Sequence, residues 1–264
     1  MKNILLTIEY DGTNFSGWQR QPGQRTVQGE LENVLSVLCR TPVSVDGTGR
    51  TDAGVHALGQ RATFHGDFGI PVERIPPAAN DLLADSRQKG GDLRILSAEE
   101  VPEDFHARYN AVGKTYLYRI YNRKEMPVFL RNYRYHVDRP LDLSAMREAS
   151  LHFVGTKDFR SFMTDAGSFQ GSTVKRIDSV NVSGNEGEIR FTVTGSGFLY
   201  NMVRIMAGTL VDVGLGKLFA DDLPEILASG DRSGAGHTAP PQGLYMARVY
   251  FSEKELREEL CRKS

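Results

Sequence analysis

Cysteine is nearly missing from this chain: Cys39 and Cys261 are the only two in 264 residues, far apart and without CxxC spacing or a Cys/His cluster. That argues against a disulfide scaffold or a zinc site and suits a reducing cytosol. Long apolar runs are lacking too. The five-residue run Ile4 to Ile8 is followed at once by Glu9 and Asp11, too short and too soon acidic for a secretory signal. No stretch approaches membrane-spanning length, so a cytoplasmic protein is expected. Neither sign of charge dominates: 32 Lys and Arg against 33 Asp and Glu leave a net charge of −1, which advertises no polyanionic partner. Gly47, Gly49 and Gly54 do not form GxGxxG, and there is no Walker loop, so a nucleotide cofactor finds no support. Tryptophan occurs once, at Trp18, as a stacking platform or, better, as a packing anchor.

What is present is locally uneven. From Phe105 to Val137 there are seven Lys or Arg (Arg108, Lys114, Arg119, Arg123, Lys124, Arg131, Arg134), one acid, Glu125, and eight aromatics, six of them tyrosines. Cations for phosphates beside flat rings for bases is the composition of RNA-binding surfaces. A tyrosine-rich sheet with solvated arginines at its edges has the same composition.

A chain of 264 residues can bury a substantial core in one large domain or two packed lobes. Its periodicity suggests two copies of one pattern. In the first half, Asn3 to Tyr10 reads as a strand and Thr26 to Arg40 as a helix with Leu31, Val34, Leu35 and Leu38 as its apolar stripe. Strands at Val43 to Gly47 and Gly59 to His65, a helix at Val72 to Ala84 and a strand at Leu93 to Ala98 follow. In the second half, a strand at Lys114 to Asn122 precedes a helix from Leu143 to Phe153, capped by Asp142 or Ser144. A hairpin comes next, Ser172 to Ser183 with Glu188 to Thr194, turning at Gly184 to Gly187. A helix, Phe198 to Val213, and a strand, Leu244 to Phe251, complete it, with a charged helical tail from Glu253. Strand, helix, two strands, helix, strand is the split βαβ arrangement. The expected class is therefore α+β: two ferredoxin-like, RRM-like lobes, residues 1–110 and 111–264, with antiparallel sheets side by side and an active-site cleft between them.

The segment Gly49-Arg50-Thr51-Asp52-Ala53-Gly54-Val55-His56-Ala57 reads as a loop between strands, with glycines for a sharp turn. It holds one carboxylate, Asp52. If the backbone is extended, Arg50 shares its face, and an adjacent cation keeps a carboxylate ionised, as a nucleophile or general base requires. On spacing alone, a turn aspartate bonding its own backbone is the commoner fate. His56 could serve acid/base chemistry, but a packing role suits it better. On a helical wheel, Arg204 points away from the apolar face of Leu199, Met202, Val203, Met206 and Leu210, hence to solvent.

GRTDAGVHA resembles the active-site motif of the tRNA pseudouridine synthase A family. Further blocks resemble that family in its order along nearly the whole chain. They are Tyr10 to Gln19 (YDGTNFSGWQ), Phe105 to Arg108, Lys114 to Tyr116, Phe198 to Gly208 with Met202-Val203-Arg204, and Gly243 to Tyr245. Ser86 to Gly91 departs from the family's short proline-containing turn and reads as a surface excursion. The resemblance implies the two-lobed fold, a cofactor-free isomerisation of uridine to pseudouridine in the anticodon stem-loop of tRNA, and a homodimer. It implies Asp52 as the nucleophile; Arg50 is either its orienting partner or a phosphate clamp on the flipped nucleotide. It also implies Tyr116 over the target base, able to accept the C5 proton, and Arg204 in the active cleft. Arg20, Arg108 and Lys114 are expected on the RNA. A carboxylate can trap an electron-poor ribose carbon, much as glycosidase carboxylates do, or add to the uracil ring. Both routes stay open.

Two rivals carry less. Glu9-Tyr10-Asp11-Gly12-Thr13 resembles the DxDGT signature of haloacid-dehalogenase phosphatases, but glutamate stands where the phosphate-accepting aspartate must be, and Asp221 and Asp222 read as a helix cap. A non-catalytic RNA-binding protein with two RRM-like sheets would share the basic and aromatic content. It would have no use for a carboxylate aimed at a polyanion.

Overall fold

The computed structural model describes residues 1–85, 91–164, 169–185 and 187–263. The expected excursion at Ser86 to Gly91 and the tip of the Gly184 to Gly187 turn fall largely outside them. The chain divides into two compact units, Met1–Val112 with Tyr245–Ser252, and Gly113–Leu244 with Glu253–Ser264. The closing strand, assigned from sequence to the second lobe, thus clusters with the first unit.

The first unit is built on β1 (Lys2–Tyr10), flanked by antiparallel β3 (His56–Gly66) and β4 (Leu93–Val101). The short β2 (Val45–Gly47) pairs with the far end of β3, and β10 (Leu244–Tyr250) pairs parallel with its start through Tyr245 and Met246. The order is therefore β4, β1, β3, with β2 and β10 sharing the outer side of β3. Burial along β1 explains its place. Ile4, Leu6, Ile8 and Tyr10 are buried on one face; on the other, Asn3 and Leu5 are buried as well, Thr7 is half-buried and Glu9 exposed, and each buried aliphatic contributes about 2 kcal/mol. Helices α1 (Val27–Cys39) and α2 (Ile75–Asp85) cover the sheet. Thr26 caps α1, its hydroxyl accepting the Gly29 N–H at 3.3 Å. Between Ala57 and Gln60 β3 carries one residue more than β1 opposite Tyr10 and Ile8. This bulge lies directly after the Asp52 loop, and a bulge re-aims the strand leaving it.

In the second unit, β5 (Gly113–Tyr121), β9 (Glu188–Gly195), β8 (Val174–Gly184) and β7 (Gly155–Asp158) form an antiparallel run in that order. The two-residue β6 (Tyr135–His136) adds parallel to β5. Helices α3 (Leu143–Leu151) and α4 (Met202–Gly214) pack together, and α5 (Leu223–Ser229) and α6 (Glu253–Lys263) complete the unit. Asp142 is the cap of α3, accepting from the N–H groups of Ser144 and Ala145. The molecule is thus of mixed α and β content, its sheets mostly antiparallel. The helix expected from Phe198 begins only at Met202, because Asn201 takes a left-handed φ of 60° that ends any helical run before it. β6 and β7 escaped the sequence reading, being too short to show alternation.

Candidate active site

The Asp52 loop is set in place by the segment that follows β1. Thr51 is buried, and its hydroxyl meets the Tyr10 hydroxyl at 2.8 Å. The Thr51 carbonyl accepts the Trp18 N–H at 3.0 Å. Gln60 donates to the Gly49 carbonyl at 2.9 Å. Tyr10 packs beside Phe15 and Trp18, and burial pushes its pKa up to about 12 against the lowering effect of its bonds to Thr51 and Gln60. Trp18 is buried on Gly47, the anchor its surroundings demanded. The YDGTNFSGWQ and GRTDAGVHA blocks, forty residues apart in sequence, therefore form one packed body.

On that body the chain turns sharply. Val55 N–H bonds the Asp52 carbonyl at 3.2 Å, and Gly54, third of the four residues, has φ +79°. This is the conformation of a type II turn, whose third position favours glycine. Buried Thr51 and Val55 bracket the turn, and Asp52 between them is half-exposed. Its carboxylate is therefore neither sunk in the core nor fully in solvent. His56 is 2% exposed, stacks on Tyr245 with ring centroids 4.7 Å apart, and its Nδ1 accepts the Gly12 N–H at 3.1 Å. Asp11 Oδ1 stands 3.2 Å from the same nitrogen, so the enclosed imidazole both packs on Tyr245 and ties down the segment after β1. The expected pairing of Arg50 with Asp52 is not formed. Arg50 is exposed and takes part in no ion pair among the described residues. Thr51 between them is buried and bonded to Tyr10, while Arg50 stands exposed and Asp52 half-exposed.

Elsewhere in the first unit, Arg20 is largely exposed, with one guanidinium nitrogen 3.3 Å from a Glu32 carboxylate oxygen. Arg108 is exposed on the Pro102 to Asn110 turn, its guanidinium 5.8 Å from the ring centre of the exposed Tyr109.

In the second unit, Tyr116 lies on β5 opposite Val193, 8% exposed, with the edge of its ring against Phe198 at 5.0 Å. Lys114, two residues earlier, is half-buried opposite Gly195. Arg204 does not point to solvent as its helical wheel suggested. Every α4 residue from Ile205 to Gly214 is buried, and Arg204 is half-buried. Its Nε donates to the Ala239 carbonyl at 2.8 Å and its Nη1 to Asn201 Oδ1 at 2.9 Å. The wheel failed because α4 is covered on its polar stripe as well as its apolar one. The basic character of Phe105 to Val137 is also partly spent inside the protein: Arg119 and Arg134 converge with Arg190 on Glu188. Burial would raise the Glu188 pKa, but the bond from Arg119 and the other two guanidiniums outweigh it and hold the carboxyl below its usual range.

Sequence reasoning missed the Tyr10–Thr51 contact, although both residues lay in recognised blocks. It also missed Asp212, two turns along α4 from Arg204, and His237 on the chain that covers them. The signal for Asp212 was available: Arg204, Gly208 and Asp212 recur at helical spacing as a non-apolar stripe.

The family model for tRNA pseudouridine synthase matches residues 6–110 and 149–252. The chain belongs to the tRNA pseudouridine synthase family. It is 47% identical over 251 residues to the protein named tRNA pseudouridine synthase A of Caldicellulosiruptor bescii, covering 95% of this chain and 100% of that one. It is 45% identical over 251 residues to the protein of the same name from Acetivibrio thermocellus, again covering 95% of this chain and 100% of the relative. For the Halalkalibacterium halodurans protein of that name the identity is 45% over 257 residues, 97% of this chain and 95% of the other. Both matched spans of the family model include residues singled out above: Asp52, Arg20 and Arg108 in the first, Arg204 in the second.

Proposed function

We propose that this protein isomerises uridine to pseudouridine in the anticodon stem-loop of tRNA, without a cofactor, with Asp52 as the nucleophile. The observation that carries the reading is the mounting of Asp52. One half-exposed carboxylate stands on a sharp turn whose flanking residues are buried and bonded, in a chain of this family. Held that way, a carboxylate keeps one position while the substrate comes to it, and orientation of this kind supplies much of a rate enhancement. The reaction breaks an N-glycosidic bond and makes a C-glycosidic one within the same nucleotide, so it needs neither oxidant nor outside group. The uridine leaves its stack to reach Asp52, at a cost of a few kcal/mol.

Tyr116 stacks on the base and takes the C5 proton late in the reaction, and Arg204 contributes its guanidinium. Arg50, exposed beside the turn, serves the nucleotide's phosphate and swings to Asp52 only with substrate present. Arg20, Arg108 and Lys114 hold the tRNA by its phosphates, which makes binding strongly salt-dependent. The β4, β1, β3, β2 order with crossover helices supports a ferredoxin-like reading of the first unit, and a related plan for the second is part of the proposal. The protein works in the cytoplasm as a homodimer.

Asp52→Ala tests the central assignment. Tritium release from C5-tritiated uridine in tRNA is expected to stop, while tRNA affinity stays within a small factor. Retained release would remove the mechanism. A loss of affinity as large as the loss of release would turn Asp52 into a structural residue of an RNA-binding surface.

A further inference from the structure

Asp212 is a buried carboxylate, 7% exposed, that the proposed reaction does not use. It stands on α4 in line with Gly208 and Arg204, at intervals of four residues, so the three share one stripe of the helix. A strap of chain, Gly236 to Ala239, lies along that stripe. At its start, the Gly236 N–H donates to Thr209 Oγ1 at 2.9 Å. At the Asp212 end, Oδ2 accepts the His237 backbone N–H at 3.2 Å and the His237 Nδ1–H at 2.9 Å. In the middle, a side chain at Gly208 would collide with the His237 carbonyl, so only glycine lets the strap lie this close. At the Arg204 end, the Ala239 N–H donates to the Arg204 carbonyl at 3.1 Å, and the Ala239 carbonyl takes the Arg204 Nε–H at 2.8 Å.

The clamp at His237 is fully committed. Lys217 Nζ holds the other Asp212 oxygen at 2.9 Å, and the Tyr135 hydroxyl meets His237 Nε2 at 3.1 Å. A carboxylate only accepts, so His237 carries its proton on Nδ1 toward Asp212. The Nε bond fixes the plane of the Arg204 fork, and the carbonyl that makes it sits two residues from the clamped histidine.

We infer that Asp212 is a positioning residue for Arg204. By gripping His237 it fixes the Ala239 carbonyl, and that carbonyl aims the guanidinium from about 12 Å away along the helix. The inference rests on the proposal that Arg204 serves the reaction. Nothing in it requires Asp212 to touch RNA.

Asp212→Asn keeps the shape, removes the charge and sets an amide N–H against either His237 or Lys217. Single-turnover pseudouridine formation is expected to fall about tenfold, with tRNA affinity unchanged within about twofold. Lys217→Met, which leaves both Asp212–His237 bonds in place, is expected to cost less than Asp212→Asn; equal losses in both variants would mark a general packing role and overturn the inference. Arg204→Lys retains charge but cannot make the Nε bond, so Asp212→Asn should cost little more in that background, and additive losses would overturn the inference. Full activity in Arg204→Lys and Arg204→Ala would overturn the role of Arg204 itself. A slow Arg204→Lys beside a fully active Asp212→Asn would sink the positioning step alone. Should Asp212→Asn fail to fold, His237→Gln, which cuts only the ring bond, carries the same test with a loss of about threefold.

Discussion

Gly17 and Gly23 lie in the same segment and make a matched pair for asking how the Asp52 turn is held. Both have positive φ, +86° and +70°. A Cβ on Gly17 would stand 2.7 Å from the Thr51 carbonyl oxygen and 3.3 Å from the Ala53 nitrogen, whereas one on Gly23 would meet nothing within 4 Å. Alanine at either position therefore carries the left-handed strain of about 1–2 kcal/mol. Only Gly17→Ala adds a collision, and its target is backbone, which cannot rotate away. Ordinary contact begins near 3.4 Å, so the atoms at 2.7 Å must part by about 0.7 Å, and those atoms flank Asp52. A displacement of that order at a reacting group costs up to about a hundredfold in rate, or about 2.7 kcal/mol. Gly23→Ala is expected to lose about 1–2 kcal/mol of stability in denaturant unfolding and nothing in single-turnover tritium release. Gly17→Ala is expected to lose more stability and, per folded molecule, ten- to a hundredfold in rate. Equal rates for the two variants would falsify the view that this contact positions the nucleophile.

Two further outcomes are expected. Tyr116→Phe keeps a ring for stacking and removes the hydroxyl, so tRNA affinity should hold while the step that releases tritium slows; an unchanged rate would reduce Tyr116 to packing against Phe198. Tyr10 is neutral in the folded state up to about pH 12, while an unfolded tyrosine ionises near pH 10. Its contribution is thus fully present below about pH 10 and lost as pH rises toward 12, up to about 3 kcal/mol. Tyr10→Phe should flatten the alkaline fall in stability seen by unfolding titration, and an equally steep fall in the variant would assign it to other groups.

Much of this was legible because it was local. The strand from Asn3 to Tyr10, the helix after Thr26 and the Asp142 cap depend on residues a few positions apart, and the structure has all of them. The Asp52 turn was readable from Gly54 for the same reason. Failures came where distant chain decided the outcome. The Thr51 hydroxyl bonds Tyr10, forty-one residues away, a contact no local pattern shows. Arg204 looked solvated because its cover, the strap at Gly236 to Ala239, lies in a stretch whose Gly, Pro and Thr content says only loop. Arg119 and Arg134 looked available for phosphates because their acid, Glu188, stands more than fifty residues downstream.

The strand that closes the first unit is made last. β3 begins at His56, and its parallel partner there, together with the ring that stacks on His56, arrives with Tyr245 and Met246. During synthesis at about 5–20 residues per second, the nascent first unit waits on the order of ten seconds for that strand to leave the ribosome. Until then the start of β3, a few residues beyond Asp52, has an unpaired edge. A chain stalled or clipped before Tyr245 would carry every residue of the GRTDAGVHA motif and still lack the strand that pairs with the start of β3.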